Sequence, residues 1–467
     1  MEITRKTQKQ TMHTHKNTPG MARRRFLKTS LGTISALGFP TIIPATALGK
    51  GGKAAPSERV TVGMIGCGGR GRLAYSYAQM PDVQVVALAD ANLAKIAKLK
   101  THDTLKGMTF KETDDFRSIL TEDIDAMHIA TGDYWHVPAL LLAARAGKHA
   151  YVEKPLGISI EQCLACNEIV KERPELQIQY GTQNRSGSYV RPAMELVLNG
   201  HIGEVKDVIV WAPEGEAGGV NDAKPAPEGF NLDMWFGPAP LREYCEDRCK
   251  TPKGIWHIYD HAIGFVAGWG AHPMDQLQWW LDETGVGIPE EVKATGKIPT
   301  TGLYNTLTHW NAEMRYANGR TIRFADTQSI DQYLPKLDRF RKQDHGTLFI
   351  GSEGWVYCSR YSIQASSREL LAKMNNPGEK RLIHSKGKHE RNFIDAIKGD
   401  NKTVTNLSSA IRSDIACHLV DLAIRHGGSV RWDNKKQTIV GNDAAQKAMH
   451  RPMRKPWDVL NPKYTGA

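Results

Sequence analysis

The chain has 467 residues, with 61 Lys and Arg against 50 Asp and Glu, for a formal net charge of +11. Residues 1–47 hold eight of those bases and one acid, so they carry +7 and leave 11 − 7 = +4 for the rest. So small a balance does not call for nucleic acid, and no segment is apolar over the roughly 20 residues that cross a bilayer.

The first residues read as an address. Arg23-Arg24-Arg25-Phe26-Leu27-Lys28 matches the twin-arginine export pattern. A short apolar stretch from Leu31 to Ile43 follows, and Ala45-Thr46-Ala47 is a small-residue cleavage site that would leave Leu48 as the mature N-terminus. Residues 1–47 are therefore expected to be a signal that engages the twin-arginine export machinery and sends the folded protein to the periplasm. Met21 is a second candidate start, and residues 48–57 read as a linker.

Beyond the linker lie 467 − 57 = 410 residues, enough for two domains with full cores. From Val60 to Tyr180, short apolar runs alternate with amphipathic stretches, which predicts a parallel sheet with crossover helices over 58–182. Its parts include strands at Ile124–Ile129, Ala150–Val152 and Gln177–Tyr180 and a helix from Val137 to Ala146. The run Val60–Ile65 leads straight into Gly66-Cys67-Gly68-Gly69-Arg70-Gly71, which opens a helix. Asp90 lies 19 residues past Gly71 and closes the run Val83–Ala89. Each glycine has a reason: Gly66 permits a tight turn, Gly68 lets backbone approach a pyrophosphate, and Gly71 brings helix and strand together. The helix start adds free N–H groups and a positive dipole end. This is a dinucleotide site. Asp90 favours NAD over NADP, because a carboxylate bonds ribose hydroxyls and repels a 2′-phosphate.

After Gly203 the pattern changes. Strand-like runs at Val205–Trp211, Thr308–Tyr316, Thr321–Ala325 and Thr347–Ile350 are separated by Gly- and Pro-rich insertions. They predict an α+β domain over 183–400 with a large, mainly antiparallel sheet, and this domain is expected to carry substrate binding and homo-oligomerisation. The overall class is α/β. Asn406–His426 is helical, and residues 401–467 are expected to pack back on the Rossmann domain as a helix and tail. The cysteines number seven. Cys163 and Cys166 fall on a helical pattern from Ser159 to Lys171 as packed thiols, whereas Cys245 and Cys249 lie in a loop and either pair or stay free. No four-ligand set is visible, so no metal is expected.

Several segments together resemble the glucose-fructose oxidoreductase/inositol dehydrogenase (Gfo/Idh/MocA) family. They are the Gly66–Gly71 loop, Ala130-Thr131-Gly132-Asp133-Tyr134-Trp135-His136, Glu153-Lys154-Pro155 and Gly270-Ala271-His272. Asp233-Met234-Trp235-Phe236-Gly237-Pro238-Ala239-Pro240 and Arg454-Lys455-Pro456-Trp457 extend the likeness along nearly the whole mature chain. Lys154 follows the fifth strand, at the sheet edge where open α/β folds bind ligands. An ammonium there bonds a reacting hydroxyl and steadies its developing charge, the role the family gives this lysine.

The resemblance makes His272 the proton acceptor, in a pattern that reads Asp-x-Gly-x-His in the family. Here the aspartate position is Gly268, which cannot orient an imidazole, so Asp275, Asp260 and His261 are the candidate partners. The family also places Thr131, Asp133, His136 and Glu153 beside the cofactor. Gln183, Asn184 and Arg185 follow the last Rossmann strand, with Gln183 toward the nicotinamide end and Arg185 toward the substrate. Trp256 and Trp269, near the His272 segment, offer flat faces for a sugar ring.

The implied activity is an exported, NAD-dependent oxidoreductase acting on a ring hydroxyl of a sugar, cyclitol or glycoside, with NAD held tightly. One alternative is a hydrolase or lyase that oxidises transiently and eliminates the aglycone. The other is a non-catalytic nucleotide or sugar sensor, against which Lys154 and His272 both stand. If the address reading holds, Arg23→Lys with Arg24→Lys will leave an uncleaved precursor in the cytoplasm. Cell fractionation with N-terminal sequencing checks this, and mature protein starting at Leu48 in the periplasm of that variant would refute it.

Overall fold

The structure is a computed structural model describing residues 54–250, 252–461 and 464. The twin-arginine segment, its cleavage site and Met21 lie outside the described residues.

Val60–Ile65 (β1) is buried at five of its six positions, as a strand covered on both faces must be. It pairs in parallel with Val83–Ala89 (β2) and Ala126–Ile129 (β4). Lys111–Thr113 (β3), His149–Val152 (β5) and Ile178–Tyr180 (β6) complete a parallel six-stranded sheet ordered β3-β2-β1-β4-β5-β6. The order reverses between β1 and β4, so a crevice opens at their carboxyl ends.

The Asp133–Arg145 helix begins four residues before the predicted Val137 and is buried from Asp133 to Ala144. It is apolar nearly all round because chain from beyond residue 230 covers its outer side. Trp135 Nε1 donates to the Met234 carbonyl at 2.9 Å, and the Tyr134 hydroxyl donates to Trp235 O. The Trp135 and Trp457 rings meet edge to face at 5.3 Å. Gly237 has φ +45°, and a Cβ there would lie 2.1 Å from the Trp135 ring, so no side chain fits.

The second sheet has nine strands in the order β13-β12-β11-β7-β10-β9-β8-β14-β15. Its strands are Val205–Ala212 (β7), Glu291–Lys297 (β8), His309–Arg315 (β9), Thr321–Asp326 (β10) and Gly346–Gly351 (β11). Trp355–Cys358 (β12), Ile363–Ala365 (β13), Ser429–Asp433 (β14) and Thr438–Val440 (β15) follow. The β7–β10 pair is parallel, and the other described pairs are antiparallel. The Ala271–Glu283 and Leu407–Arg425 helices pack against this sheet. Asn406 caps the latter by accepting from Ser409 N at 2.9 Å.

Two placements differ from the sequence reading, within a chain that forms one unit from Ser57 onward. The His389–Lys398 helix, expected in the second domain, packs on the Rossmann core, where Phe393 and Ile394 join Tyr151 and Ala74. Residues 401–467 do more than lie back on the Rossmann domain, because β14 and β15 extend the large sheet beyond β8. The cysteines at 163, 166, 245 and 249 are unpaired and buried, so the Cys245–Cys249 disulfide does not form.

The turn at Gln183–Ser186 is tied to the Ala271–Glu283 helix by a buried ion pair. Arg185 donates from Nη2 and Nε to the two Asp275 carboxylate oxygens at 2.6 and 2.8 Å, with 2% and 0% of the side chains exposed. Ser409 Oγ accepts from the same guanidinium at 2.7 Å and donates to Asp282 at 2.7 Å. Removing one partner of such a pair strands the other charge out of water. Asp275→Ala should therefore cost ~3–5 kcal/mol of stability, read as a lower urea midpoint; an unchanged midpoint would show that the pair does not hold these elements together.

Candidate active site

The glycines after β1 shape the floor of a cleft of about 610 Å³. Gly66 has φ +94°, and a Cβ there would sit 2.4 Å from the Ala130 carbonyl oxygen. At Gly71 it would sit 2.3 Å from Gly66 O, so the loop and the following turn can close only as glycine. Gly68 and Gly69 differ: nothing lies within 4 Å of a Cβ at either, and their bare backbone faces the cleft. The loop enters a 3-10 turn at Arg70–Arg72 before the Leu73–Ala78 helix, rather than opening the helix directly.

Asp90, just past β2, accepts from Cys67 N at 2.8 Å and Asn92 N at 2.9 Å. Burial nonetheless pushes its carboxyl upward. An ionised carboxylate has about four acceptor positions, so two remain for ribose hydroxyls. Open backbone at Gly68 and Gly69, with a tethered acid at the cleft's edge, fits NAD.

A smaller chamber of about 210 Å³ adjoins the cleft and shares Arg70, Thr131 and Trp256 with it. Lys154 reaches it from the end of β5 and donates to the carbonyl oxygen of Gly268. Burial lowers the lysine's pKa, and Asp133 opposes that as the largest neighbouring charge. Asp133 is driven the other way, its carboxyl raised by burial, and its Oδ2 has no partner among the described residues. Glu153 accepts from Arg70 Nε at 2.7 Å and from Gln183 Nε2 at 3.1 Å. His136 lies 2.6 Å from the Pro155 carbonyl oxygen through Nδ1, which must therefore carry the proton, and burial pushes its pKa down to about 4. Trp256 and Trp269 line the wall.

His272 enters near the start of the Ala271–Glu283 helix. Its Nε2 lies 2.7 Å from Nη2 of Arg360, in the tip between β12 and β13. A guanidinium only donates, so Nε2 accepts and the ring's single proton sits on Nδ1. That Nδ1 is buried and unpartnered among the described residues. Burial first, then the charges of Arg360 and Lys154, holds the ring far below its usual pKa. His272 is thus a neutral imidazole with a free N–H, and its one lone pair is taken. This departs from the expectation of a carboxylate-backed base.

The proposed partners are elsewhere. Asp275 is consumed by Arg185, which removes Arg185 from substrate contact too. Asp260 makes a loose 3.5 Å pair with Arg242 near the surface. His261 is buried against the Tyr134, Trp235 and Phe236 rings, with Nδ1 2.9 Å from Gly254 O. Sequence periodicity brings Asp260, His261 and Asp275 close to His272 along the chain, but the fold points them away. Arg360 was missed. It belongs to no motif and lies 88 residues from His272, so only the sheet topology brings the two together.

Comparison with known proteins agrees with this geometry. The family model described as "Oxidoreductase family, NAD-binding Rossmann fold" matches residues 60–181, and "Oxidoreductase family, C-terminal alpha/beta domain" matches residues 210–459. A glycosyl hydrolase family 109 protein of Shewanella sp. (strain ANA-3) is 32% identical over 133 residues, 26% of this chain and 29% of that protein. The chain thus spans under a third of that curated relative. Two solved structures share the fold. WlbA dehydrogenase from Bordetella pertussis, in complex with NADH and UDP-GlcNAcA, has a TM-score of 0.56 at 15% identity, over 80% of this chain and 99% of that one. Scyllo-inositol dehydrogenase from Lactobacillus casei, with NAD(H) and scyllo-inositol, has 0.51 at 17% identity, over 80% and 99%. The chain belongs to the GFO_IDH_MocA oxidoreductase family and carries its NAD-binding Rossmann domain.

Proposed function

We propose that the protein is an exported oxidoreductase that uses NAD to oxidise a ring hydroxyl of a sugar, cyclitol or glycoside. One observation carries this reading: Lys154 and His272, from the two halves of the chain, line one chamber beside the dinucleotide cleft. The Gly66–Gly71 backbone would hold the pyrophosphate and Asp90 the adenosine ribose, with Thr131 and Trp256 where cleft and chamber meet. When bound, the nicotinamide supplies the acceptor for the hydrogen leaving carbon. Lys154, made less basic than an ordinary lysine by burial, takes the hydroxyl proton as a neutral amine, and His272 holds Arg360 at the chamber wall through Nε2. Export to the periplasm and homo-oligomerisation through the second sheet belong to the same proposal.

A second reading, net hydrolysis through transient oxidation, is favoured by the likeness to the glycosyl hydrolase family 109 protein. Absorbance at 340 nm separates the two. Net oxidation accumulates NADH from the sugar, whereas hydrolysis releases a leaving group with no lasting change.

Lys154→Met should lower turnover by about 10²–10⁴-fold while NAD still binds. Because the neutral amine is the working form, kcat/KM should climb as pH rises through the lysine's lowered pKa. His272→Ala should keep that limb at a lower rate. A limb that vanishes in His272→Ala and survives in Lys154→Met would reverse the two roles. Gly68→Asp puts a carboxylate where the pyrophosphate must lie and should abolish NAD binding in a fluorescence titration; retained affinity would remove the loop from the site.

A further inference from the structure

Five charged side chains line the chamber: Arg70, Lys154 and Arg360 against Asp133 and Glu153. Arg70 is neutralised by Glu153 at 2.7 Å, and Asp133 is the leading opposite charge on Lys154. Lys154 with Asp133 is neutral overall on whichever of the two the proton sits, so Arg360 is left over and the chamber holds +1 with both histidines neutral. Its guanidinium bonds only neutral acceptors: Asn184 Oδ1 from Nε at 3.1 Å, and Gln183 Oε1 and His272 Nε2 from Nη2 at 3.4 and 2.7 Å. Nη1 has no acceptor among the described residues, and no carboxylate pairs with Arg360 there.

The position is built. Ser359 Oγ accepts from Tyr361 N and Ser362 N, each at 3.2 Å, and Ser359 N donates to Ser362 O at 2.9 Å, which fixes the tip that carries Arg360. An arginine brought into a site without a counter-ion matches a carboxylate, which the N–H groups of Nη1 are left to take in a charge-assisted bond. The cofactor's phosphates do not meet this need. Gly66, Gly68 and Gly69 line only the larger cleft, and Arg360 lines only the chamber. Trp269 and Trp256 in the same wall suit the ring that carries the acid.

We propose that Arg360 is a specificity-determining residue and that the substrate is an acidic sugar, a uronic acid or its glycoside, whose carboxylate bonds the Arg360 guanidinium. This rests on the sugar-oxidoreductase reading and narrows it. Binding of a charged acceptor to this guanidinium should favour the acid over its neutral counterpart by about tenfold or more.

The test is isothermal titration of the NAD-loaded protein with methyl β-D-glucuronide and methyl β-D-galacturonide, each against the matching neutral methyl glycoside, with absorbance at 340 nm followed in parallel. At least one uronide should bind more tightly than its neutral partner. Arg360→Gln should erase that difference with NAD affinity unchanged, and Arg360→Lys should restore part of it. The proposal is overturned if neither uronide binds, if the neutral glycosides bind as well, or if Arg360→Gln weakens acid and neutral ligands equally. The two readings fail separately. A uronide that binds through Arg360 without any absorbance change sinks the oxidation reading alone, whereas neutral glycosides that reduce NAD while uronides do not bind sink this one alone.

Discussion

The site depends on one buried ion pair. Arg185 follows the last strand of the parallel sheet, and Asp275 lies one turn along the helix that begins beside His272. Two charges so far from water persist only when each satisfies the other, and here two parallel N–H bonds do so. The helix start, and with it the imidazole, is thereby fixed against the turn that presents Gln183 and Asn184. The extension through Ser409 and Asp282 binds the Leu407–Arg425 helix into the same arrangement. A pair that looked on the page like a substrate arginine and a catalytic aspartate is the joint on which the chamber is hung.

The chamber's electrostatics follow from what is absent at position 268. The family resemblance implies an aspartate there, a negative charge four residues before His272. Gly268 offers its carbonyl to Lys154 instead, and a Cβ would be in ordinary contact with Phe265 at 3.5 Å, so sterics did not force the glycine. His272 takes a cation as its neighbour in Arg360. An imidazole beside a guanidinium resists protonation, and a lysine deprived of water releases its proton more readily. In the proposed reaction, both effects move proton traffic from the histidine toward Lys154.

Much of what resembles a functional motif is packing. The Trp235–Pro240 segment and the closing Trp457 meet the helix after β4, with Trp135 wedged between Gly237 and Trp457. These residues fix where the Asp133 end of that helix lies, and Trp135 and Trp235 also line the dinucleotide cleft. Tyr134 and His261 behave alike, with rings about 5 Å apart in a buried aromatic cluster. The same holds for Cys245 and Cys249, which are buried thiols and no bridge.

The dinucleotide half was legible in the sequence because its physics is local. A strand, a tight glycine turn and an acid closing the next strand act within about 30 residues, and backbone geometry at Gly66 and Gly71 admits no other side chain. Lys154 was legible for the same reason, since a residue ending a parallel strand stands at the ligand edge whatever the rest of the chain does. The short outer strands β12 to β15 escaped because periodicity over three to five residues cannot be told from a loop, and with them went the place of Arg360. What only tertiary structure decided was pairing across distance: that Asp275 answers Arg185 and not His272, and that Arg360 crosses 88 residues to cap the imidazole. Charge partners are chosen by three-dimensional proximity and burial, and neither is written in spacing along the chain.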